Sequence, residues 1–253
     1  MADLQDRVVL VSGGTQGVGA AAARAAVREG ARVVVTGRRV DVGERAARDL
    51  GVVFVPCDVA DVDQCRAAVA ATVERFGRID GLVDAAATTS RGTLLDTTVE
   101  DLDHHYAVNL RAPFVLMQAA VADMVRRGEP GTIVNVITMT SHGGQPYLAA
   151  YAATKAGLAG LTRNVAHAHR WDRIRVNGVN IGWTQTEGED ATQRRFHGGG
   201  DDWLEKATAA QPMGKLGQPD EIAALVTLLL SDRSGVVTGS VIDWDQNVLG
   251  AHD

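Results

Sequence analysis

Short runs of β-branched residues alternate with longer alanine-rich stretches along almost the whole chain. The β-branched runs predict strands at 8–11, 32–36, 52–55, 81–83, 132–137, 175–179 and 241–243. The stretches between them predict helices at 17–29, 42–50, 63–76, 102–126, 149–169 and 220–231. Because the strand runs are continuously apolar, both faces of the sheet are expected to be buried. The pattern predicts an α/β fold of Rossmann type, with a doubly wound parallel sheet of about seven strands flanked by helices.

No linker-like composition and no internal repeat divides the chain, so residues 1–253 are predicted to form a single domain. One segment, 182–214, carries Gly198-Gly199-Gly200 and too little strand pattern to join the sheet. A segment of this length in a compact domain predicts a lid or binding loop. Trp183, Phe196 and Trp203 are expected to close it over a ligand; the alternative is a helical excursion that serves subunit contacts.

Charge and cysteine content exclude several classes of partner. The formal net charge of −6 argues against nucleic acid and against an anionic membrane surface. No run of about 18 apolar residues predicts a membrane span, and the strand pattern begins at Val8, which leaves no room for a signal peptide. Cys57 and Cys65 are too few for a disulfide framework and match no metal-ligand spacing. We therefore expect a cytoplasmic protein with reduced thiols and no metal.

A glycine-rich loop lies between the first predicted strand and the first predicted helix. Its glycines permit a tight turn and a close approach of backbone to a pyrophosphate, and the N-terminus of the helix favours negative charge. The alternative is a flexible turn without a ligand. The loop predicts a nucleotide-binding site formed by Gly13, Thr15, Gln16, Gly17, Val18 and Gly19.

The second strand ends in Thr36-Gly37-Arg38-Arg39, without the carboxylate that would bind the ribose hydroxyls of NAD. Because a guanidinium suits a 2′-phosphate, Arg38 favours NADP over NAD as the cofactor. Stacking on adenine or a solvent-facing position is the alternative for Arg38. After the third strand, Asp58 and Val59 are predicted to contact adenine, unless Asp58 only stabilises its loop.

Tyr151 and Lys155 are four residues apart on a predicted helix, and therefore on one face of it. A phenol near its usual pKa of about 10 is a poor proton donor or acceptor at neutral pH. A fixed positive charge nearby is expected to lower the pKa of Tyr151 into the working range. An amphipathic helix with a surface Tyr and Lys is the alternative.

Together, the glycine-rich first turn and the Tyr-x-x-x-Lys helix resemble the short-chain dehydrogenase/reductase family over residues 5–250. The resemblance implies that Tyr151 and Lys155 are catalytic and that both also contact the cofactor. It places the family's catalytic serine at Thr138, which keeps the hydroxyl but adds a methyl group. It also places the family's helix asparagine, which anchors a water in a proton relay, at Asn109.

The chain departs from the family pattern at three places. The usual Asn-Asn-Ala-Gly after the fourth strand is replaced by Asp84-Ala85-Ala86-Ala87, of which Ala85 is expected beside the cofactor. The usual Pro-Gly after the sixth strand is Ile181-Gly182, with Thr184 and Thr186 still expected at the nicotinamide carboxamide. A usual Asp-Gly-Gly near the C-terminus is Asp243-Trp244-Asp245. None of these changes removes a reacting group.

The resemblance implies an NAD(P)-dependent oxidoreductase that interconverts a secondary alcohol and a ketone by hydride transfer. A small hydroxylated molecule, such as a sugar, a polyol or an oxo-acyl compound, is the expected substrate. The resemblance also implies a homotetramer or homodimer built on the helices near 101–127 and 149–169. A non-catalytic NAD(P)-binding regulator on the same fold remains the alternative. A lyase or epimerase is disfavoured because such chains carry a larger C-terminal substrate domain.

Overall fold

The computed structural model describes residues 3–250 and contains one parallel sheet of seven strands in the order β3-β2-β1-β4-β5-β6-β7. The strands are β1 (Val8–Ser12), β2 (Arg32–Gly37), β3 (Val53–Pro56), β4 (Gly81–Asp84), β5 (Gly131–Thr138), β6 (Ile174–Ile181) and β7 (Val241–Trp244). The strand order reverses between β1 and β4, and ligands bind at such a switch point in open α/β sheets. The predicted fold class and the seven predicted strands are confirmed.

Helices cover both faces of the sheet. Their bounds are α1 (Gly17–Arg28), α2 (Val40–Leu50), α3 (Val62–Phe76), α4 (Val99–Tyr106), α5 (Ala112–Arg127), α6 (Ala149–His169), α7 (Glu187–Phe196), α8 (Trp203–Ala209) and α9 (Pro219–Leu230). One core packs α3, α5 and α6 against one face of the sheet, and a second packs α1 and α9 against the other. Burial on both faces explains why the strands read as continuously apolar in sequence.

The helix predicted at 102–126 is two helices joined by a π turn, Ala107–Arg111. By length and composition the helical stretch Val99–Arg127 could cross a membrane, since an 18-residue window within it has a mean hydropathy of 1.2. This finding differs from the expectation drawn from apolar runs alone. However, 61% of its most apolar window is buried in the domain, as in the core helix of a globular protein.

The segment after β6 is not the irregular loop that its glycines suggested, because it contains α7 and α8. Trp203 packs with Ala207 and Leu216 in a small core of their own, and its indole Nε1 donates to Asp190 Oδ1 over 2.6 Å. Of the three aromatic residues expected to close over a ligand, only Trp183 lines the main cavity of the described chain.

Asp84 is a buried carboxyl group at the end of the central strand β4. Register pairs it with Asn135 on β5, so both side chains lie on the same face of the sheet. Within residues 3–250, neither carboxyl oxygen of Asp84 has a hydrogen-bond partner, and Asn135 Oδ1 also lacks one. Burial raises the pKa of Asp84 well above its usual value, and the positive charge of Lys155 offsets only part of that effect. We infer that Asp84 is protonated when the chain folds.

Replacing this acid with its amide tests the inference. Folding raises the pKa of this carboxyl above its value of about 3.9 in the unfolded chain. The free energy of unfolding is therefore highest below about pH 3.9 and falls as the pH rises toward the pKa in the folded chain. Asp84→Asn removes this titration and places an N–H group on the same face of the sheet as the unpartnered Asn135 Oδ1. We expect the variant to be more stable by about 1–3 kcal/mol at pH 7, with a smaller difference at pH 5.

Urea unfolding of the wild type and the variant at pH 5, 7 and 8 measures this difference. Asp49→Asn, on the exposed surface of α2, is the matched control and should show no pH-dependent gain. If the difference in the free energy of unfolding between the wild type and Asp84→Asn is the same at all three pH values, Asp84 is ionised in the folded chain over this whole pH range.

Candidate active site

A cavity of about 1140 Å³ lies at the carboxyl edge of the sheet and brings together almost all the residues singled out in the sequence. It is lined by Gly13, Thr15, Gln16, Gly17, Val18, Gly19, Arg38, Asp58, Val59, Ala85, Thr138, Tyr151, Lys155, Ile181, Thr184 and Thr186. Asn109 is fully buried behind the cavity and does not line it. Residues from seven separate stretches of the chain therefore meet in one site.

The glycine loop packs against the end of β4 too closely for any side chain. Gly13 has φ +70°, and a Cβ there would lie 2.7 Å from the backbone of Ala86. A Cβ on Gly19 would lie 2.2 Å from the carbonyl oxygen of Gly13. The first turn of α1 contains no acidic residue, and Gln16 gives it no side-chain cap. The loop and the open helix N-terminus therefore fit the pyrophosphate of a dinucleotide.

Two arginines, not one, stand at the end of β2. Arg38 is exposed, lines the cavity and makes no hydrogen bond within residues 3–250. Arg39 also lines the cavity, and its Nη2 donates to Gln16 Oε1 in the glycine loop over 2.5 Å. Arg38 was the residue predicted to bind the 2′-phosphate of NADP. Arg39 follows it directly in the sequence but was not among the predicted contacts.

Asp58 and Val59 follow β3 at the same end of the cavity. Asp58 Oδ1 accepts a hydrogen bond from the backbone N–H of Ala60 over 3.0 Å. This contact is the loop-stabilising role left open in the sequence, and it still leaves Asp58 Oδ2 available to a ligand. Val59 is buried and offers an apolar surface beside it.

Tyr151 and Thr138, the two predicted reacting residues, both line the cavity. Burial raises the pKa of Tyr151 to about 12, although a hydrogen bond with Thr138 opposes that shift. Thr138 Oγ1 accepts hydrogen bonds from the backbone N–H and the hydroxyl of Thr140, both over 3.3 Å, and so keeps its own proton to donate. Burial therefore raises the pKa of Tyr151, whereas the spacing of Tyr151 and Lys155 had led us to expect a lowered pKa.

Lys155 is almost fully buried, and its Nζ donates to the carbonyl oxygen of Val136 on β5 over 2.7 Å. Burial lowers its pKa to about 8, and Asp84 would oppose this shift only in its ionised form. The ammonium group still has donors left, because one bond uses only part of its capacity. Lys155 lines the cavity and can hold a ribose hydroxyl there.

Both ends of the Asn109 side chain are occupied by the loop that follows β4. Its Oδ1 accepts from Thr88 N over 2.9 Å, and its Nδ2 donates to Thr88 O over 3.0 Å and to Thr154 Oγ1 over 3.3 Å. Asn109 lies within the π turn, a helix irregularity that is common at functional sites. The side chain therefore fixes the cavity wall: both N–H groups of Nδ2 are used, while Oδ1 can accept one further hydrogen bond.

The hydroxyl groups of Thr184 and Thr186 both take part in local backbone contacts. Thr184 Oγ1 donates to Gly182 O over 2.9 Å, and Thr186 Oγ1 accepts from Glu189 N at the start of α7 over 3.0 Å. Thr186 therefore retains a proton that it can donate to a ligand.

Polar or aromatic residues that were not predicted from the sequence also line the cavity, among them Arg91, Tyr147, Glu189 and Gln193, together with His197. They come from the loop after β4, from the turn before α6, and from α7 and its C-terminal end. No motif marks them, because loop folding alone brings them together. Arg91 Nε donates to His197 Nε2 over 3.2 Å, which joins two of these segments.

Known proteins match the chain over nearly its full length. A family model described as "Enoyl-(Acyl carrier protein) reductase" matches residues 13–246. An uncharacterized oxidoreductase of Thermotoga maritima is 36% identical, covering 96% of this chain and 97% of its own. The NADP-dependent (R)-specific alcohol dehydrogenase of Lentilactobacillus kefiri is 32% identical, with 94% of each chain covered. The crystal structure of levodione reductase is 30% identical and superposes with a TM-score of 0.90, covering 96% of this chain and 97% of its own.

These matches agree with the strand order, the glycine loop and the Tyr151–Lys155 helix. The chain therefore belongs to the short-chain dehydrogenase/reductase family and is an NAD(P)-dependent oxidoreductase.

Proposed function

We propose that the protein interconverts a secondary alcohol and a ketone on a small hydroxylated molecule, with Asn109, Thr138, Tyr151 and Lys155 as its working residues. The observation that carries the proposal is that Tyr151 and Thr138 line the same cavity as the glycine loop. Two hydroxyl groups at the wall of one cavity suit a substrate carbonyl oxygen.

Proton transfer in this proposal runs through Tyr151. When bound, the reduced nicotinamide supplies a hydride to the carbonyl carbon, and the oxidised ring accepts one in the reverse direction. In reduction, Tyr151 donates its proton to the carbonyl oxygen while Thr138 donates a hydrogen bond to the same atom. In oxidation, Tyr151 takes the proton of the alcohol. Because the pKa of Tyr151 is about 12, the phenol is protonated at neutral pH and ready for the reductive direction.

Lys155 and Asn109 support this transfer from behind Tyr151. Lys155 offers its remaining N–H groups to the ribose of the cofactor. Asn109 holds the loop at Thr88 in place. Asn109 is also proposed to anchor a water of the proton relay, because Oδ1 can accept one further hydrogen bond.

The proposed cofactor preference is NADP over NAD. Arg38 and Arg39 present two positive charges at the end of β2, where a carboxylate would favour NAD. The NADP dependence named for the Lentilactobacillus kefiri relative supports this preference.

We also propose that the protein assembles as a homodimer or homotetramer through α4, α5 and α6. Large apolar side chains are exposed along the first two of these helices: Val99, Leu102, Tyr106, Phe114 and Val125. Such a surface favours contact with a second copy of the chain. We also propose that the protein is located in the cytoplasm.

Tyr151→Phe removes only the ionisable oxygen. We expect kcat to fall by about 10²–10⁴-fold while the Kd of NADP stays nearly unchanged. Steady-state kinetics and cofactor titration measure the two quantities. Tyr106→Phe, on the exposed face of α4, is the matched control. Retention of more than about a tenth of the activity by Tyr151→Phe would contradict its role as the acid.

Thr138→Ser keeps the hydroxyl group, and Thr138→Val keeps the shape without it. The serine variant should stay active and the valine variant should lose most of its rate, because only the hydroxyl orients the carbonyl. Equal rates for Thr138→Val and the wild type would assign this role to Thr140, whose hydroxyl lies 3.3 Å away and which lines the cavity. Ser141, the next hydroxyl along the chain, donates to Asn180 Oδ1 and does not line the cavity.

Arg38→Ala and Arg39→Ala separate the two arginines. Each should weaken NADP binding more than NAD binding, by about 10-fold for a lost hydrogen bond to phosphate, because only NADP carries the 2′-phosphate. Titration of each variant with both cofactors measures this. If Arg38→Ala weakens both cofactors equally and Arg39→Ala is selective, Arg39 binds the phosphate and Arg38 stacks on adenine.

A further inference from the structure

Arg91 is a cation at the wall of the cavity that no described carboxylate neutralises. No Asp or Glu oxygen of residues 3–250 lies within the 4.0 Å ion-pair distance of its guanidinium. Its Nε donates to His197 Nε2 over 3.2 Å, and its Nη1 donates to the backbone oxygen of Thr89 over 2.8 Å. These bonds use fewer than half of the N–H donors of a guanidinium. The remaining donors are available to a ligand.

The backbone beside Arg91 is fixed to the helix that carries Tyr151. Gly92 N donates to Tyr147 O over 2.9 Å, and Ala149 N donates to Gly92 O over 3.2 Å. The guanidinium carbon of Arg91 lies 5.8 Å from the centre of the Tyr147 ring. Arg91 is therefore positioned in the same rigid frame as the reacting phenol.

The charge of Arg91 reaches the phenol of Tyr151. Burial is the largest influence on the pKa of Tyr151 and raises it, whereas the positive charge of Arg91 lowers it and the negative charge of Glu189 raises it. Glu189 Oε1 is already bonded to Trp183 Nε1 and Gln193 Nε2, both over 2.7 Å. Neutral donors of its own segment therefore hold Glu189, which forms no ion pair with Arg91 among the described residues.

We propose that Arg91, with Tyr147 and His197 beside it, binds the carboxylate of the substrate, so that the enzyme acts on oxo acids and their hydroxy acids. A guanidinium with unused N–H groups suits the two oxygens of a carboxylate. This inference rests on the proposed function, in which the carbonyl of the same molecule lies at Tyr151 and Thr138. The chain length between carbonyl and carboxylate then sets specificity.

The test compares oxo acids with one to four carbons between the two groups against their methyl esters, using enzyme loaded with NADPH. The ester keeps the carbonyl and loses only the negative charge. We expect at least one acid to exceed its ester in kcat/KM by about 10-fold or more. Turnover of esters or neutral ketones without any preference for an acid would overturn the Arg91 proposal while leaving the proposed function intact.

Three variants assign that preference to Arg91. Arg91→Gln should lower kcat/KM for the preferred acid by about 10-fold or more and change the ester little. Arg91→Lys should restore part of the loss, because the charge returns without the forked geometry. Arg195→Gln removes the same charge from a residue of α7 that does not line the cavity, and should affect neither substrate. Equal losses of acid and ester in Arg91→Gln would overturn the proposal.

A binding measurement keeps the proposal testable without turnover. Trp183 lines the cavity, so its fluorescence reports occupancy when NADPH-loaded enzyme is titrated with an acid or its ester. Tighter binding of the acid than of its ester, with the difference lost in Arg91→Gln, supports the carboxylate site. If the acid binds in this way but no carbonyl compound is reduced, only the proposed function is contradicted. Equal affinity for acid and ester would overturn the carboxylate site.

Discussion

The active site depends on one buried ammonium group. Lys155 Nζ bonds the carbonyl oxygen of Val136, two residues before Thr138 on the same strand, and Tyr151 stands one turn away from Lys155 on α6. This single contact fixes the helix that carries the phenol to the strand that carries the hydroxyl. Such a charge is costly to bury, and burial lowers its pKa to about 8. The domain bears this cost at the point where the two reacting groups must be aligned.

The sequence predicted the fold and the cofactor end of the site because both rest on local signals. Continuously apolar strands identify a sheet buried on both faces, and a glycine such as Gly13 is required wherever backbone meets backbone. The spacing of Tyr151 and Lys155 likewise depends only on helix geometry. These features need no knowledge of distant contacts, and the structure brings all of these residues to the same cavity.

Features that depend on contacts between distant segments could not be predicted. Arg91 and His197 are 106 positions apart and meet only because the loop after β4 and the end of α7 fold over the same cavity. The raised pKa of Tyr151 depends on burial, which residue spacing does not determine. Asp84 stands where the family pattern has asparagine, but the sequence does not reveal that its carboxyl lacks a hydrogen-bond partner. In each case the deciding quantity is the three-dimensional surroundings of one side chain.

The π turn at Ala107–Arg111 has a consequence for how α4 and α5 evolve. It accommodates an extra residue within a helix, so the side chains before it are rotated by about 100° relative to an uninterrupted helix. Asn109 faces the core because of this phase shift, while Val99 and Leu102 face outward. Loss of one residue here would restore regular helix geometry and turn the whole preceding face by the same angle. The orientation of Asn109 toward the core and the outward orientation of Val99 and Leu102 thus depend on the same inserted residue. One cannot change without the other.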